Sequence, residues 1–390
     1  MNALRKYVDK IKPTFEKGGK LGFLHSTFDA FETFLFVPDT VTRKGSHIRD
    51  CVDLKRVMII AVLSLVPALL FGIWNTGYQH SLAYGLNWGF WPMVGYGIVK
   101  ILPLYLVSYI VGLGIEFTSA QLRGHEVNEG YLVSGMIIPL IVPVDVPLWM
   151  LALAVAFAVI FGKEVFGGTG MNIWNPALLA RAFLFFSYPS KMSGDIVWVG
   201  GLGAGNNAWC AGNGLVDGFS GATPLANASA EGLAEHGYTF LNMFLGTIPG
   251  SVGETSAIAI LLGALILVFT GVASWKIMVS SIAGGLAIGY IGYACGATDL
   301  PGYYQLVMGG FLFGSVFMAT DPVTSAQTEC GKWIYGFLVG ALAVTVRLWN
   351  PGYAEGMMLA ILLMNTFAPL IDYCVIECSI KRQNKKVKIA

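Results

Sequence analysis

The chain has 390 residues, 55% hydrophobic and only 12% charged, with a mean hydropathy of +0.65. A soluble domain carries about 25% charge, so this polar surface is too small to cover a water-soluble protein of the same size, and lipid must face much of the outside. The net charge of +1 hides a segregated pattern: eleven of the 24 Lys and Arg lie in the first 56 residues, five in the last ten and eight in the apolar stretch between.

In chain order, residues 1–55 form a basic, Phe-containing segment with no signal-peptide pattern. It is expected to be retained as a cytoplasmic N-terminal region that packs on a partner or on the membrane surface. A helix crossing about 30 Å of hydrocarbon needs about 20 apolar residues. Ten spans are predicted, at 57–76, 101–117, 130–144, 148–162, 174–188, 256–272, 275–295, 304–320, 332–348 and 356–376. Residues 84–99 and 240–250 are also apolar and read as interfacial or re-entrant helices, or as extensions of the next span. With the N-terminus inside, 20 of the 24 basic residues fall on the inner side, which is the charge bias of membrane topology. Basic clusters flanking hydrophobic runs therefore point to orientation in a membrane and not to nucleic acid.

The expected architecture is an all-α polytopic membrane protein. It has two five-helix halves (56–188 and 256–376), an extracytoplasmic loop region (189–255) and a basic cytoplasmic tail (377–390). A five-plus-five split suggests a duplicated, transporter-like core with half-helices. Phe166-Gly167-Gly168-Thr169 echoes Phe317-Met318-Ala319-Thr320, although both fall on the same side, where an inverted repeat would place them on opposite sides. The six Cys show no C-x-x-C spacing and read as small apolar packing residues, with a single thiolate joining a cluster shared between subunits as the alternative; the five His show no ligand spacing, and no metal site within this chain alone is expected. No G-x-G-x-x-G motif lies between a strand and a helix.

The outer loop carries Asp217-Gly218-Phe219-Ser220-Gly221-Ala222-Thr223-Pro224. Asp-Gly and Ser-Gly form turns, and Thr223 before Pro224 fits a helix N-cap with Pro at the first helical position. The stretch is also similar to the acceptor motif of flavin transferases, Asp-x-x-Ser/Thr-Gly-Ala-Thr, with Asp217, Ser220, Gly221, Ala222 and Thr223 at its specified places. That similarity implies FMN joined through its phosphate to the Thr223 hydroxyl, on the side where the charge pattern puts the loop.

Further pieces extend the likeness. They are His125-Glu126-Val127-Asn128-Glu129-Gly130, Gly162 through Gly170, Asn175-Pro176-Ala177, Phe317 through Pro322, and Asn350-Pro351 with Glu355-Gly356-Met357-Met358. On these the chain resembles the B subunits of Na⁺-translocating NADH:quinone oxidoreductases over nearly its whole length. The related D subunits of Rnf ferredoxin:NAD⁺ oxidoreductases share the motif and core, and the long basic N-terminal segment favours the former. The resemblance implies a subunit of a bacterial inner-membrane complex that passes electrons from NADH to quinone and exports Na⁺, with NADH oxidised on another subunit. It implies covalent FMN, a non-covalent riboflavin, quinone and Na⁺ as ligands, and a flavin transferase as maturation partner. Gly168, Thr169, Asn172 and Asn175 form the candidate second-flavin pocket. Glu129, Asp321 and Asp372, acids near inner helix ends, match the ion-path acids of such proteins. Glu164 beside Lys163 reads as a local ion pair, and Arg181 as a mid-span residue paired with an acid or a cofactor. A channel or secondary transporter without redox function is the competing class.

Overall fold

The computed structural model describes residues 54–123, 130–202, 219–350 and 355–389, the helix Asn2–Phe15 and scattered positions between 22 and 46. Among the described residues all regular structure is helical. Helix α1 (Asn2–Phe15) is amphipathic and turns its cations to Glu32, which pairs with Lys12 at 2.9 Å. The Phe15 ring stacks on Phe28 at 4.7 Å, so part of this segment packs on itself.

Helices α2 (Leu54–Ala83) and α3 (Phe90–Arg123) are long and apolar. At about 1.5 Å per residue, either exceeds the hydrocarbon thickness. Three short helices follow: α4 (Tyr131–Ile141), α5 (Leu148–Val159), which continues through a π-turn over Ile160–Glu164, and α6 (Pro176–Ser187). The second half contains α7 (Ala257–Phe269), α8 (Trp275–Ala294), a broken element over residues 304–318 that ends in a second π-turn (Gly314–Met318), α9 (Glu329–Trp349) and α10 (Gly356–Ile389). Among the described residues five helices are long and apolar enough to cross a membrane, and three more apolar helices are shorter. The chain is a polytopic all-α membrane protein, and all ten expected spans have a helical counterpart.

Two elements run beyond their expected bounds, and one expectation is corrected. Of the alternatives for residues 84–99, extension of the next span holds from Phe90: Lys100 does not end that helix, because its ammonium is buried against Asp145 at 3.0 Å. The basic tail is the last part of α10, which runs unbroken to Ile389. Cys295, Cys330, Cys374 and Cys378 are exposed thiols and do not pack in the core; Cys51 and Cys210 lie outside the described residues.

The short helices are interrupted by irregular backbone at 142–147 and 248–256, most of it buried. Such backbone is tolerated at membrane depth only inside protein, where its polar groups find partners. Here the two breaks meet, and Gly253 donates its N–H to the carbonyl of Leu140, at the end of α4, at 2.8 Å. The close α8–α9 packing has a sequence cause. A Cβ on Gly340 would collide with the Ser281 carbonyl and one on Gly284 with that of Phe337, so small residues let the two backbones touch. Exposed Trp91 and Trp149 ring one end of the molecule, and exposed Trp275 and Trp333 the other, as aromatic side chains do at the two faces of a bilayer.

Candidate functional site

At the first end, a shelf built from residues 195–202 supports the Thr223 loop. Two helices and the break after α4 fix this shelf. The His80 ring nitrogen Nδ1 lies 2.7 Å from the Gly200 carbonyl, and Tyr96 donates to the same oxygen at 3.1 Å. Tyr84 donates to the Gly201 carbonyl at 3.0 Å, and Asp145 accepts the Gly201 N–H at 2.6 Å. Gly221 is seated against the Asp195 carbonyl, where a Cβ would collide. The Tyr238 hydroxyl donates to the Ala222 carbonyl at 2.8 Å. Burial, with Asp195 nearby, pushes that phenol up to about 12, so it stays a donor.

The acceptor motif is thus half covered: Gly221, Ala222, Pro224 and Leu225 are buried, Thr223 is half-buried and Ser220 is exposed. Asp217 lies outside the described residues. Thr223 does not cap a helix. Its Oγ1 accepts from the Ala226 N–H at 3.3 Å in a single turn. The next helix starts only after Ser229, whose own side chain caps it.

Beneath Thr223 is a small cavity of about 30 Å³ lined by Trp198, Ser251, Glu254, Thr255, Gly309 and Glu355 among others. Arg181, on α6, reaches two carboxylates from the other half of the chain: Glu254 at 2.5 Å, and Glu355. Ser251 donates to the second oxygen of Glu254 at 2.6 Å. Arg347 donates through Nη1 to the Gln305 carbonyl at 2.7 Å, while its Nε and Nη2, and Thr255 Oγ1, have no hydrogen-bond partner. Sequence reasoning found Arg181 but not Glu254, Glu355, Thr255 or Arg347. The available signal was charge inside otherwise apolar sequence.

At the opposite end, the two π-turns converge. Thr169 follows the first and Thr320 the second, and both line one cavity of about 220 Å³. The Phe-x-x-Thr echo therefore marks two segments that meet at one cavity on one side. The remaining wall is mostly apolar, with Lys163, Asn172, Asn175 and Asp321 as its polar groups. Gly168 is not in the wall; it forms the preceding turn at φ +98°. Asn175 caps α6, accepting from the Ala177 N–H at 3.0 Å, and its amide points to Asp321 Oδ2 at 3.5 Å.

Asp321 also accepts from Thr324 Oγ1 at 3.0 Å and from the Val323 N–H at 3.2 Å. Asp372 lies apart, in the wall of a neighbouring cavity that shares Asn172. It accepts from the Gln327 N–H at 2.7 Å and from Thr328 Oγ1 at 2.6 Å. Glu129 lies outside the described residues. The expected local pair Glu164–Lys163 is corrected. Lys163 pairs with Glu116 on α3, which also accepts from Thr169 at 3.3 Å. Glu164 instead accepts from Ser119 at 2.5 Å and sits 3.7 Å from Arg123. Side chains one apart on a helix point in different directions, so adjacency in sequence misled. Glu116 is a buried acid of the site that the sequence reading missed.

The family model for NQR2, RnfD and RnfE matches residues 41–381. The chain is 43% identical over 411 residues to the B subunit of the Na(+)-translocating NADH-quinone reductase of Pseudomonas paraeruginosa, covering 97% of this chain and 98% of that one. The same figures hold for the protein of that name in Ectopseudomonas mendocina. The one from Chromohalobacter salexigens is 41% identical, covering 98% of this chain and 96% of the relative.

Proposed function

Because the chain belongs to the NQR2, RnfD, RnfE family, we propose that it is the flavin-carrying membrane subunit of a Na⁺-translocating NADH:quinone reductase. FMN is esterified to Thr223 and a second flavin, riboflavin, is held in the cavity at the opposite end. NADH is oxidised on a partner subunit, electrons pass to quinone, and Na⁺ is exported. In this reading the Thr223 loop faces the periplasm, and both termini face the cytoplasm of a bacterium.

The observation that carries the reading is the state of Thr223: a half-buried hydroxyl in a clamped turn, beside a small cavity that the unpartnered Thr255 hydroxyl also lines, within an acceptor motif. The residues present fit a flavin at each end. At the Thr223 end, Tyr238 and the shelf hold the acceptor turn, so the tether point is fixed while the ring system can extend outward. At the other end, a mostly apolar cavity with a few convergent amides and hydroxyls suits a flat heteroaromatic ring, with Thr169, Asn172 and Asn175 as the polar contacts. Bound flavin supplies one-electron and two-electron redox chemistry; the protein supplies position and field. Asp321 and Asp372 remain the proposed cation-path acids, since carboxylate oxygen suits a small hard cation.

The test is flavin fluorescence on a denaturing gel, with the chain co-expressed with a flavin transferase. The wild type should give a fluorescent band and Thr223→Ala none. A dark wild-type band, with the transferase shown active on another acceptor, would overturn the covalent-flavin reading and favour a transporter without redox function.

A further inference from the structure

Asp321 and Asp372 hold opposite ends of one loop, and their oxygens are used differently. Asp372, on α10, reaches across to the start of α9. Its Oδ2 accepts the Gln327 N–H at 2.7 Å, and its Oδ1 accepts both the Thr328 N–H at 3.0 Å and the Thr328 hydroxyl at 2.6 Å. Thr328 is in turn the N-cap of α9, accepting from the Gly331 N–H at 3.1 Å. The fit is close, since a Cβ on Gly331 would collide with Thr328 Oγ1 and Asp372 Oδ1 alike. Three of the roughly four acceptor sites on this carboxylate are therefore taken, two of them by backbone N–H groups at the positive end of a helix. A cation brought to these oxygens would have to face those N–H dipoles.

Asp321 is held more loosely. Its bonds are the Thr324 hydroxyl at 3.0 Å, the Val323 N–H at 3.2 Å and the Asn175 amide at 3.5 Å, and it lines the cavity of about 220 Å³, which Asp372 does not. The loop between the two acids is tied to itself. The Gln327 side-chain amide donates to the Pro322 carbonyl at 2.6 Å and to the Ser325 carbonyl at 3.0 Å. The Ser325 N–H donates to the Asp321 carbonyl at 3.1 Å. A continuous hydrogen-bonded path thus runs from the Asp372 carboxylate, through residue 327, to 322 and 325 and so to Asp321.

We propose that Asp372 is a positioning residue for Asp321: it ties the 321–328 loop to α10, and so sets where the Asp321 carboxylate stands in the cavity wall, without taking the cation itself. The inference rests on the reading of both acids as members of the cation path and divides their roles. Gln327 is the relay between them. Gln327→Ala keeps the backbone N–H on Asp372 and removes only the link to Pro322 and Ser325, so it leaves Asp372 in place while cutting its hold on Asp321.

The test uses the purified complex, with the initial rate of quinone reduction by NADH followed against Na⁺ concentration and the thermal midpoint taken on the same samples. Loss of one neutral hydrogen bond is worth about a factor of five in an equilibrium, so Gln327→Ala should raise the KM for Na⁺ about threefold to fivefold, with the rate at saturating Na⁺ near that of wild type. Asp372→Ala, which frees all three donors, should raise that KM further. If Asp372 ligated the cation directly, Asp372→Ala would raise the KM and Gln327→Ala would leave it at the wild-type value; that outcome overturns the proposal. A lower thermal midpoint in Gln327→Ala with an unchanged KM for Na⁺ overturns it too, since the link would then be structural only. Should Asp372→Ala fail to accumulate, Gln327→Ala decides alone. A wild-type complex whose rate does not respond to Na⁺, or an Asp321→Ala complex with the wild-type KM for Na⁺, would instead remove the cation-path reading of Asp321, and the inference with it.

Discussion

The molecule has a buried ion cluster near each end, and the two are built to different plans. At the cavity end, Lys163 and Glu116 form a one-to-one pair, each about 4% exposed, with Thr169 as an added donor. At the Thr223 end, Arg181 bridges two carboxylates from separate segments, Arg347 stands behind them, and donors are left over. The first plan can neutralise itself with a single proton if its cation is lost. In the second, losing Arg181 breaks two pairs at once and leaves two glutamates with only Arg347 as a neighbouring cation. A closed pair fixes structure; an open cluster with spare donors also leaves room for a ligand.

The largest expected effect follows from that difference. Breaking a buried ion pair by removing one partner costs about 3–5 kcal/mol, so Arg181→Met should destabilise by at least this much or fail to accumulate. Lys163→Met should cost less, since Glu116 can take up a proton. Thermal midpoints in detergent, with covalent flavin counted on the same samples, check the order. If Lys163→Met proves the more damaging, the contrast between the two clusters is wrong.

A smaller effect separates capping from binding at the cavity. Asn175 does both: it caps α6, and it lines the wall. Asn175→Ala should therefore lose about 1 kcal/mol of stability with the cap and also lower the content of non-covalent flavin. Asn172 caps no helix; its amide donates to the Trp174 carbonyl at 3.1 Å. Asn172→Ala should lower non-covalent flavin with little change in thermal midpoint. Flavin released by acid precipitation, measured against flavin retained on the chain, gives the readout. Unchanged release in both variants would remove these amides from the second site.

Much of the fold was legible because lipid simplifies the pattern. Apolar runs, their lengths and the placement of 24 basic residues were enough for ten helical elements. Less legible was the pairing of the helix breaks, since Pro at 142–147 and Pro and Gly at 248–256 mark interruptions but give no sign that the two breaks meet. Thr223 was picked out as a candidate by the resemblance of its stretch to an acceptor motif. Its surroundings were not, because Arg181, Glu254, Arg347 and Glu355 are brought together from three distant stretches of chain. Lys163 teaches the same lesson at the other end: its nearest acid in sequence is not its partner, and the true one, Glu116, is 47 residues away. The Thr223–Pro224 cap signal failed for a local reason, since Ser229 offers a better cap six residues on.

The smallest effect concerns the clamp on the acceptor turn. Tyr238→Phe leaves the buried carbonyl of Ala222 without its donor, at a cost of about 1 kcal/mol. The phenol gives this difference a pH dependence with a fixed sign. An exposed tyrosine in the unfolded chain titrates near about 10, whereas burial holds Tyr238 up to about 12. The folded state keeps its proton where the unfolded state gives it up, so the contribution of Tyr238 is complete below pH 10 and is lost as the pH rises toward 12. The gap in thermal midpoint between wild type and Tyr238→Phe, followed by fluorescence of the covalent flavin, should therefore be constant from pH 7 to 9 and narrow above pH 10. A gap that widens with alkali would mean that the phenol is not the neutral donor to the Ala222 carbonyl, and the turn carrying Thr223 would then owe its position to the shelf at 195–202 alone.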